Sequence, residues 1–225
     1  MQNVAWVAGL CVAGGYLLGS IPFSWVVSRR RLRRELRQVD LRSLLAGAPT
    51  GDGRDDAVAT VLDVAKVLLA ATLAWHLVRD ASPGFDRHVL PEVSAVGFLA
   101  DQVLTSWQST ALWTGLAAVV GHLAPPWLGF RGGSGQAPAL GLALAYCPSG
   151  FSSGVAAFFV GLAVSRRPAT AVLAGLAGFV GYAWLAWVFD WRTGWGATNG
   201  PELALWSSVL AGVLAARTVT ATRSA

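Results

Sequence analysis

GHLAPPWLGFRGGSGQAPALG, residues 121–141, stands between an apolar run over residues 111–120 and a second beginning at Ala139. A glycine-rich polar stretch so bracketed is expected to be a loop that dips at a membrane surface and re-enters, in a chain that is all-α and membrane-embedded. Inside it, Arg131, Gly132, Gly133, Ser134 and Gly135 place a fixed positive charge beside three glycines. Lacking Cβ atoms, glycines let backbone N–H groups turn inward and cradle an anion, so a phosphate-bearing ligand is the chemistry implied. The same letters also serve as a plain connector between helices, since glycine is the common punctuation of turns.

The rest of the chain supports the membrane reading. Its 225 residues suit one domain, but 54% hydrophobic against 13% charged residues, with 11 tryptophans, exclude an ordinary soluble fold. Seven transmembrane helices are predicted, over residues 4–28, 57–78, 110–122, 137–147, 150–165, 169–189 and 201–216. No positive charge precedes the first apolar run, and a basic run over residues 29–37 follows it, so it reads as a first span with its N-terminus outside rather than a secretory signal. An odd number of spans returns the C-terminus to the inside. On that topology thirteen of the 17 Lys and Arg residues lie inside, three (Arg79, Arg87, Arg192) outside, and Lys66 within a span. The net charge of +5 therefore follows the positive-inside rule, and nucleic acid is not an expected partner. Spans three and four are short for a hydrocarbon core of ~30 Å and are expected to tilt or to borrow residues from the loop.

Polar residues inside the spans are the candidates for chemistry. Ser20 and Pro22 interrupt the first span about 12 Å from its cytoplasmic end at the helical rise of about 1.5 Å per residue. They read either as a kink with a back-bonded serine or as part of a site. In the second span Asp63 and Lys66, the only lysine, are three residues apart, share one face and can pair. Lys66 lies about 13.5 Å along its helix, close to the depth of Ser20, and intramembrane ionisable pairs are usually functional. His122 ends the third span and reads as a proton-handling group or as a helix-terminal histidine bonded to backbone. His88 with the carboxylates of residues 79–109 has no recurring ligand spacing and reads as a solvated loop; residues 93–100 read as a short interfacial helix. Cys11 and Cys147 read as buried thiols. Trp184, Trp187, Trp191 and Trp195 read as interface anchors at the outer end of the sixth span. No metal or other cofactor is expected.

Four segments carry a resemblance. Leu18, Gly19, Ser20, Ile21, Pro22 and Phe23 match letter for letter the opening signature of the bacterial acyl phosphate:glycerol-3-phosphate acyltransferase family. Gly121, His122, Pro125, Leu128, Phe130, Gly132, Gly133, Gly135 and Gly141 stand at positions of its third signature, approximately G-H-x-F-P-x-F-L-x-F-x-G-G-K-G-V-A-T-x-x-G. Asp40, Leu41 and Arg42 resemble the start of its second block, and Asp63 with Lys66 resembles its D-x-x-K motif. The departures are Ala124 in place of the signature aromatic, Ser134 in place of its lysine, Gln136, Ala137 and Pro138 in place of Val-Ala-Thr, Val67 in place of the glycine after the D-x-x-K lysine, residues 43–52 in place of a block with two asparagines, and a C-terminal tail without the family's histidine and asparagine.

The resemblance implies one integral membrane acyltransferase domain over residues 1–225, in the bacterial inner membrane, with an acyl phosphate and glycerol 3-phosphate as substrates and lysophosphatidate and phosphate as products. In that scheme His122 and Ser20 are the candidate catalytic residues, and Arg42, Asp63, Lys66, Arg131, Gly132, Gly133, Ser134 and Gly135 bind substrate. Membrane lipid is the surrounding partner, and no obligate protein partner is expected. The second reading, resting on the departures, is a non-catalytic or altered-specificity relative that binds phospholipid or an acyl-phosphate-like ligand.

Overall fold

The computed structural model describes residues 2–23, 53–81, 106–130, 132–191 and 200–223, and these are all helix or short connection. Among the described residues a helix lies at each of the expected places: α1 (Gln2–Gly19), α2 (Gly53–Ala81), α3 (Ser106–Leu123), α4 (Gln136–Tyr146), α5 (Pro148–Ser165), α6 (Pro168–Val188) and α7 (Pro201–Arg223), with a 3-10 turn at Pro126–Leu128. Four stretches are long and apolar enough to cross a membrane: Ala57–Ala81, Pro148–Ser165, Pro168–Val188 and Pro201–Thr220; Ala5–Gly19 is a shorter apolar helix.

Several expected boundaries move, and two of the shifts bear on how the helices sit. The first span was expected to run to residue 28, yet α1 stops at Gly19, because Pro22 has no N–H to offer the carbonyl of Leu18. α3 begins at Ser106, four residues earlier than expected, and its 18 residues reach about 27 Å at the helical rise. α4, with 11 residues, reaches only about 16 Å, roughly half the hydrocarbon thickness. Between α3 and α4 the described residues 124–130 and 132–135 turn back against α1 and the end of α3.

α1 and α2 pack on α3, α5 and α6 form an antiparallel pair, α7 lies on α6 and touches α3, and α4 sits between α2 and α5. The α1–α3 contact is backbone on backbone. A Cβ at Gly19 would lie 2.0 Å from the carbonyl oxygen of Ala118, and one at Gly121 would lie 2.1 Å from that of Tyr16. Glycine is required at such crossings because the helix axes could not otherwise approach so closely.

The two halves join around Trp206, fully buried, whose indole N–H donates to the carbonyl of Leu112 at 2.9 Å and whose ring meets Phe179 edge-on. Val67, Leu112, Val119, Leu142 and Leu203 complete this core. Large apolar side chains also point outward: Trp6 is 74% exposed, Val164 83% and Phe159 62%. In water such a surface would drive association; in lipid it is the face a spanning helix is expected to show.

Cys11 and Cys147 are both free thiols, Cys147 buried between α4 and α5 and Cys11 half-buried. The turn between α5 and α6 is built by Arg166 in the left-handed conformation and Pro168 at the first turn of α6. The basic run at residues 29–37, the expected interfacial helix at residues 93–100, His88, Arg192 and Trp195 lie outside the described residues.

Candidate active site

The site starts from the broken end of α1. Leu18 would normally receive an N–H from residue 22, which is proline; its carbonyl instead takes the N–H of Ile21 at 3.3 Å. Leu17 thereby loses its own partner, and the Ser20 hydroxyl donates to its carbonyl at 2.7 Å. Two further carbonyls at this end, those of Ser20 and Ile21, are met by side chains, as carbonyls at a helix terminus commonly are. The indole N–H of Trp127 donates to Ser20 O at 2.9 Å, and the ammonium of Lys66 donates to Ile21 O at 2.7 Å. The interruption that ends α1 thus creates a cation-binding backbone.

Lys66 and Asp63 pair as their spacing predicts, with Nζ to Oδ1 at 2.6 Å, and both side chains are buried. The imidazole of His122, from the end of α3, joins them: Nδ1 is 3.1 Å from Lys66 Nζ and 3.4 Å from Asp63 Oδ1. An ammonium has three hydrogens, and Asp63, Ile21 O and His122 Nδ1 are three acceptors. In the arrangement that satisfies all three, Nδ1 accepts, and a neutral imidazole carries its proton on Nε2. The ring of Phe23 lies 5.5 Å from the ammonium and adds a cation–π contact. Breaking such a buried pair by removing one partner is costly, because it leaves the other charge without compensation.

The glycine loop folds over the end of α3 onto this cluster. Gly129 and Phe130, both left-handed at φ 59° and 62°, reverse the chain, and the Tyr16 hydroxyl holds the loop by donating to the carbonyl of Ala124 at 2.8 Å. For Phe130 that conformation costs about 1–2 kcal/mol. Gly133 then lies directly on His122: a Cβ there would be 2.5 Å from Nε2. Gly135, at φ 70°, caps the start of α4.

The cradle is smaller than the letters implied. The N–H of Gly132 donates to Leu123 O at 3.0 Å and is spent on the fold. Among the described residues, the N–H groups of Gly133, Ser134 and Gly135 have no acceptor, and the first turn of α4 follows them. Free N–H groups in a row at a helix N-terminus concentrate positive potential where an anion can sit. Ser134 is exposed, and Gly133 is partly so.

Of the expected site residues, Asp63, Lys66, His122 and Gly133 come together, with Ser134 and Gly135 next along the loop. Ser20 lies at the site but spends its hydroxyl proton on Leu17. Arg42 and Arg131 lie outside the described residues. Three residues that were not among the expected site residues contribute: Phe23, Trp127 and Arg217, whose Nη2 donates to Gly132 O at 2.6 Å. The basic end of α7 was the one signal pointing to Arg217.

Comparisons with known proteins bear on the family and the fold. The family described as glycerol-3-phosphate acyltransferase matches residues 9–223. The chain is 33% identical over 171 residues to a glycerol-3-phosphate acyltransferase of Anaeromyxobacter dehalogenans strain 2CP-C, an overlap that takes in 75% of this chain and 74% of that one. Its fold is similar to crystal structures of PlsY (YgiH), an integral membrane glycerol 3-phosphate acyltransferase. The TM-score is 0.58 to the lysophosphatidic acid form, at 20% identity over 93% of this chain and 87% of that one. It is 0.53 to the glycerol 3-phosphate form, at 24% identity over 96% and 90%. At those identities the structural likeness speaks for the fold, and the match along nearly the whole sequence decides the family: this chain belongs to the glycerol-3-phosphate acyltransferases.

Proposed function

We propose that this protein is a membrane acyltransferase that moves an acyl group from an acyl phosphate to glycerol 3-phosphate, giving lysophosphatidate and inorganic phosphate. The observation that carries the proposal is the meeting of the Asp63, Lys66 and His122 cluster with a glycine loop whose N–H groups at residues 133–135 have no acceptor among the described residues. The family supports the acceptor and the reaction type; the acyl phosphate donor rests on the anion cradle and on the motif resemblance.

In the reaction a glycerol 3-phosphate hydroxyl oxygen attacks the acyl carbonyl carbon, a new C–O bond forms, and the C–O bond to phosphate breaks. The donor is already activated, so the protein's work is to hold two phosphates in register and to meet the negative charge that develops. The N–H groups of Gly133, Ser134 and Gly135 hold the donor phosphate. His122, with its proton on Nε2, donates toward the same phosphate as it leaves, and the proton of the attacking hydroxyl departs with the phosphate. Of the proton-handling parts open to His122, this is that of a donor. Lys66, fixed by Asp63 and Ile21 O, supplies the positive potential behind the ring. Arg42 and Arg131 are the remaining candidates for holding glycerol 3-phosphate. Ser20 serves by shaping the end of α1.

The same proposal places the N-terminus outside, the C-terminus in the cytoplasm and the site facing the cytoplasmic leaflet of the inner membrane, as the positive-inside distribution requires. The direct test is to reconstitute the full chain in nanodiscs with an acyl phosphate and glycerol 3-phosphate. Lysophosphatidate and phosphate are expected in equal amounts and are lost with Lys66→Ala; a wild-type chain that forms neither overturns the assignment.

A further inference from the structure

We infer that Arg217 is a positioning residue for the anion cradle. The inference rests on the proposed acyl transfer for its context but on the geometry of one peptide unit for its content. The carbonyl of Gly132 and the N–H of Gly133 belong to the same planar trans peptide and point in opposite directions. Arg217 Nη2 holds that carbonyl at 2.6 Å, so it fixes where the Gly133 N–H points. On the other side of Gly132, its own N–H is held by Leu123 O at 3.0 Å. The residue that precedes the cradle is therefore clamped at both ends, by α3 and by α7, and the first free donor of the cradle inherits its direction from Arg217.

Gly133 is also the residue that touches the catalytic imidazole. No side chain fits there, since a Cβ would lie 2.5 Å from His122 Nε2. The Gly133 backbone and the His122 ring thus share one small volume, and rotation of the Gly132–Gly133 peptide would turn a carbonyl oxygen toward the anion in place of a donor. Glycine at both positions gives the backbone the freedom to make that flip, which is why an external clamp is needed. Arg217 is suited to be that clamp. It reaches from the last turns of α7, it is half-buried, and among the described residues no carboxylate pairs with it. Its guanidinium has further N–H donors beyond the one on Gly132, and it brings a positive charge to the loop, where Ser134 is neutral.

The test uses the full chain in nanodiscs with Arg217→Met and Arg217→Lys, inorganic phosphate as the probe, and both steady-state kinetics and thermal unfolding as readouts. Arg217→Met is expected to raise KM for the acyl phosphate at least tenfold, to leave KM for glycerol 3-phosphate within twofold, and to abolish the stabilisation that inorganic phosphate gives the wild-type chain. Arg217→Lys, which still offers an N–H to the carbonyl, is expected to recover most of both. A methionine variant that unfolds at lower temperature with both KM values unchanged makes Arg217 a strut of the bundle and overturns the inference. A methionine variant that keeps its phosphate stabilisation overturns it too. Absence of lysophosphatidate from the wild-type chain, with the phosphate stabilisation present and lost in Arg217→Met, instead overturns the acyl-transfer assignment and leaves the clamp in place.

Discussion

The α5–α6 hairpin and the α1–α2–α3 corner are packed by the same device and do opposite things with it. In the hairpin, small residues bring two helices into contact: a Cβ at Gly161 would lie 2.6 Å from that of Ala174, and one at Gly178 would lie 2.5 Å from that of Ala157. Its outer faces are apolar, and its one described polar bridge between the helices is the Ser153 hydroxyl donating to Gly178 O at 3.2 Å. In the corner, glycines bring α1 as close to α3, but α1 ends there at Pro22. Intact helices in contact offer each other mostly apolar surface, because their backbone groups are already satisfied within the helix. A helix that ends inside the bundle offers carbonyls, and Lys66 is what this protein supplies to meet them. The comparison teaches that close packing makes a scaffold where helices continue and a site where one of them stops.

The largest effect expected from this contrast is at Lys66. Lys66→Met leaves Asp63 buried without its partner and should destabilise the chain by about 3–5 kcal/mol, along with loss of acyl transfer. The double variant Asp63→Asn with Lys66→Met removes the uncompensated charge and is expected to regain much of that stability in reversible unfolding from detergent while remaining inactive. A double variant no more stable than the single one breaks the claim that the pair is held for its chemistry and not for the fold.

His122 comes next. His122→Ala removes one donor to the developing charge and is expected to lower kcat by about 10²–10³-fold, with little change in unfolding because the imidazole lies at the end of α3 and is partly exposed. A matched pair of glycines sharpens the comparison further. Gly19→Ala drives a methyl into the Ala118 carbonyl and Gly161→Ala drives one into the Ala174 side chain, and overpacking of this kind costs about 1–3 kcal/mol in either place. Only Gly19→Ala is expected to reduce activity, because only there does the displaced backbone carry the Ile21 carbonyl to Lys66. Equal loss of activity in the two variants would mean that the corner has no privileged tie to the site.

How far the letters alone could reach follows from the same chemistry. The places of the seven helices were legible from apolar runs, and the Asp63–Lys66 pair from its three-residue spacing, because both are local properties of a helix. That His122 belongs with them was legible from motif resemblance and depth. What stayed hidden were partners supplied by backbone: Ile21 O is 45 residues from Lys66, Ser20 O is 107 from Trp127, and Gly132 O is 85 from Arg217. A carbonyl has no letter, so only the fold can say which are left without an N–H. The glycine loop was misjudged by one residue for that reason, since nothing in its sequence reveals that Leu123 takes the N–H of Gly132. The end of α1 was misplaced because a proline in a membrane span can bend a helix or stop it, and here the recapture of Leu17 O by a serine hydroxyl favours stopping.

That last contact gives the smallest effect and the most discriminating one. Ser20 is buried with its hydroxyl on Leu17 O, where it stands in for the N–H that Ile21 has turned toward Leu18. If this is its whole part, Ser20→Ala forfeits one hydrogen bond and costs about 0.5–1.5 kcal/mol of stability, while kcat stays close to the wild-type value. A serine moving a proton in the reaction would instead cost about 10²–10⁴-fold in rate on removal. Steady-state kinetics of this one variant therefore separate the two readings of the signature at residues 18–23, and a large fall in kcat without a fall in stability would return Ser20 to the chemistry. A small fall in both leaves the signature as an instruction to the backbone: end the helix here, and turn its carbonyls to the lysine.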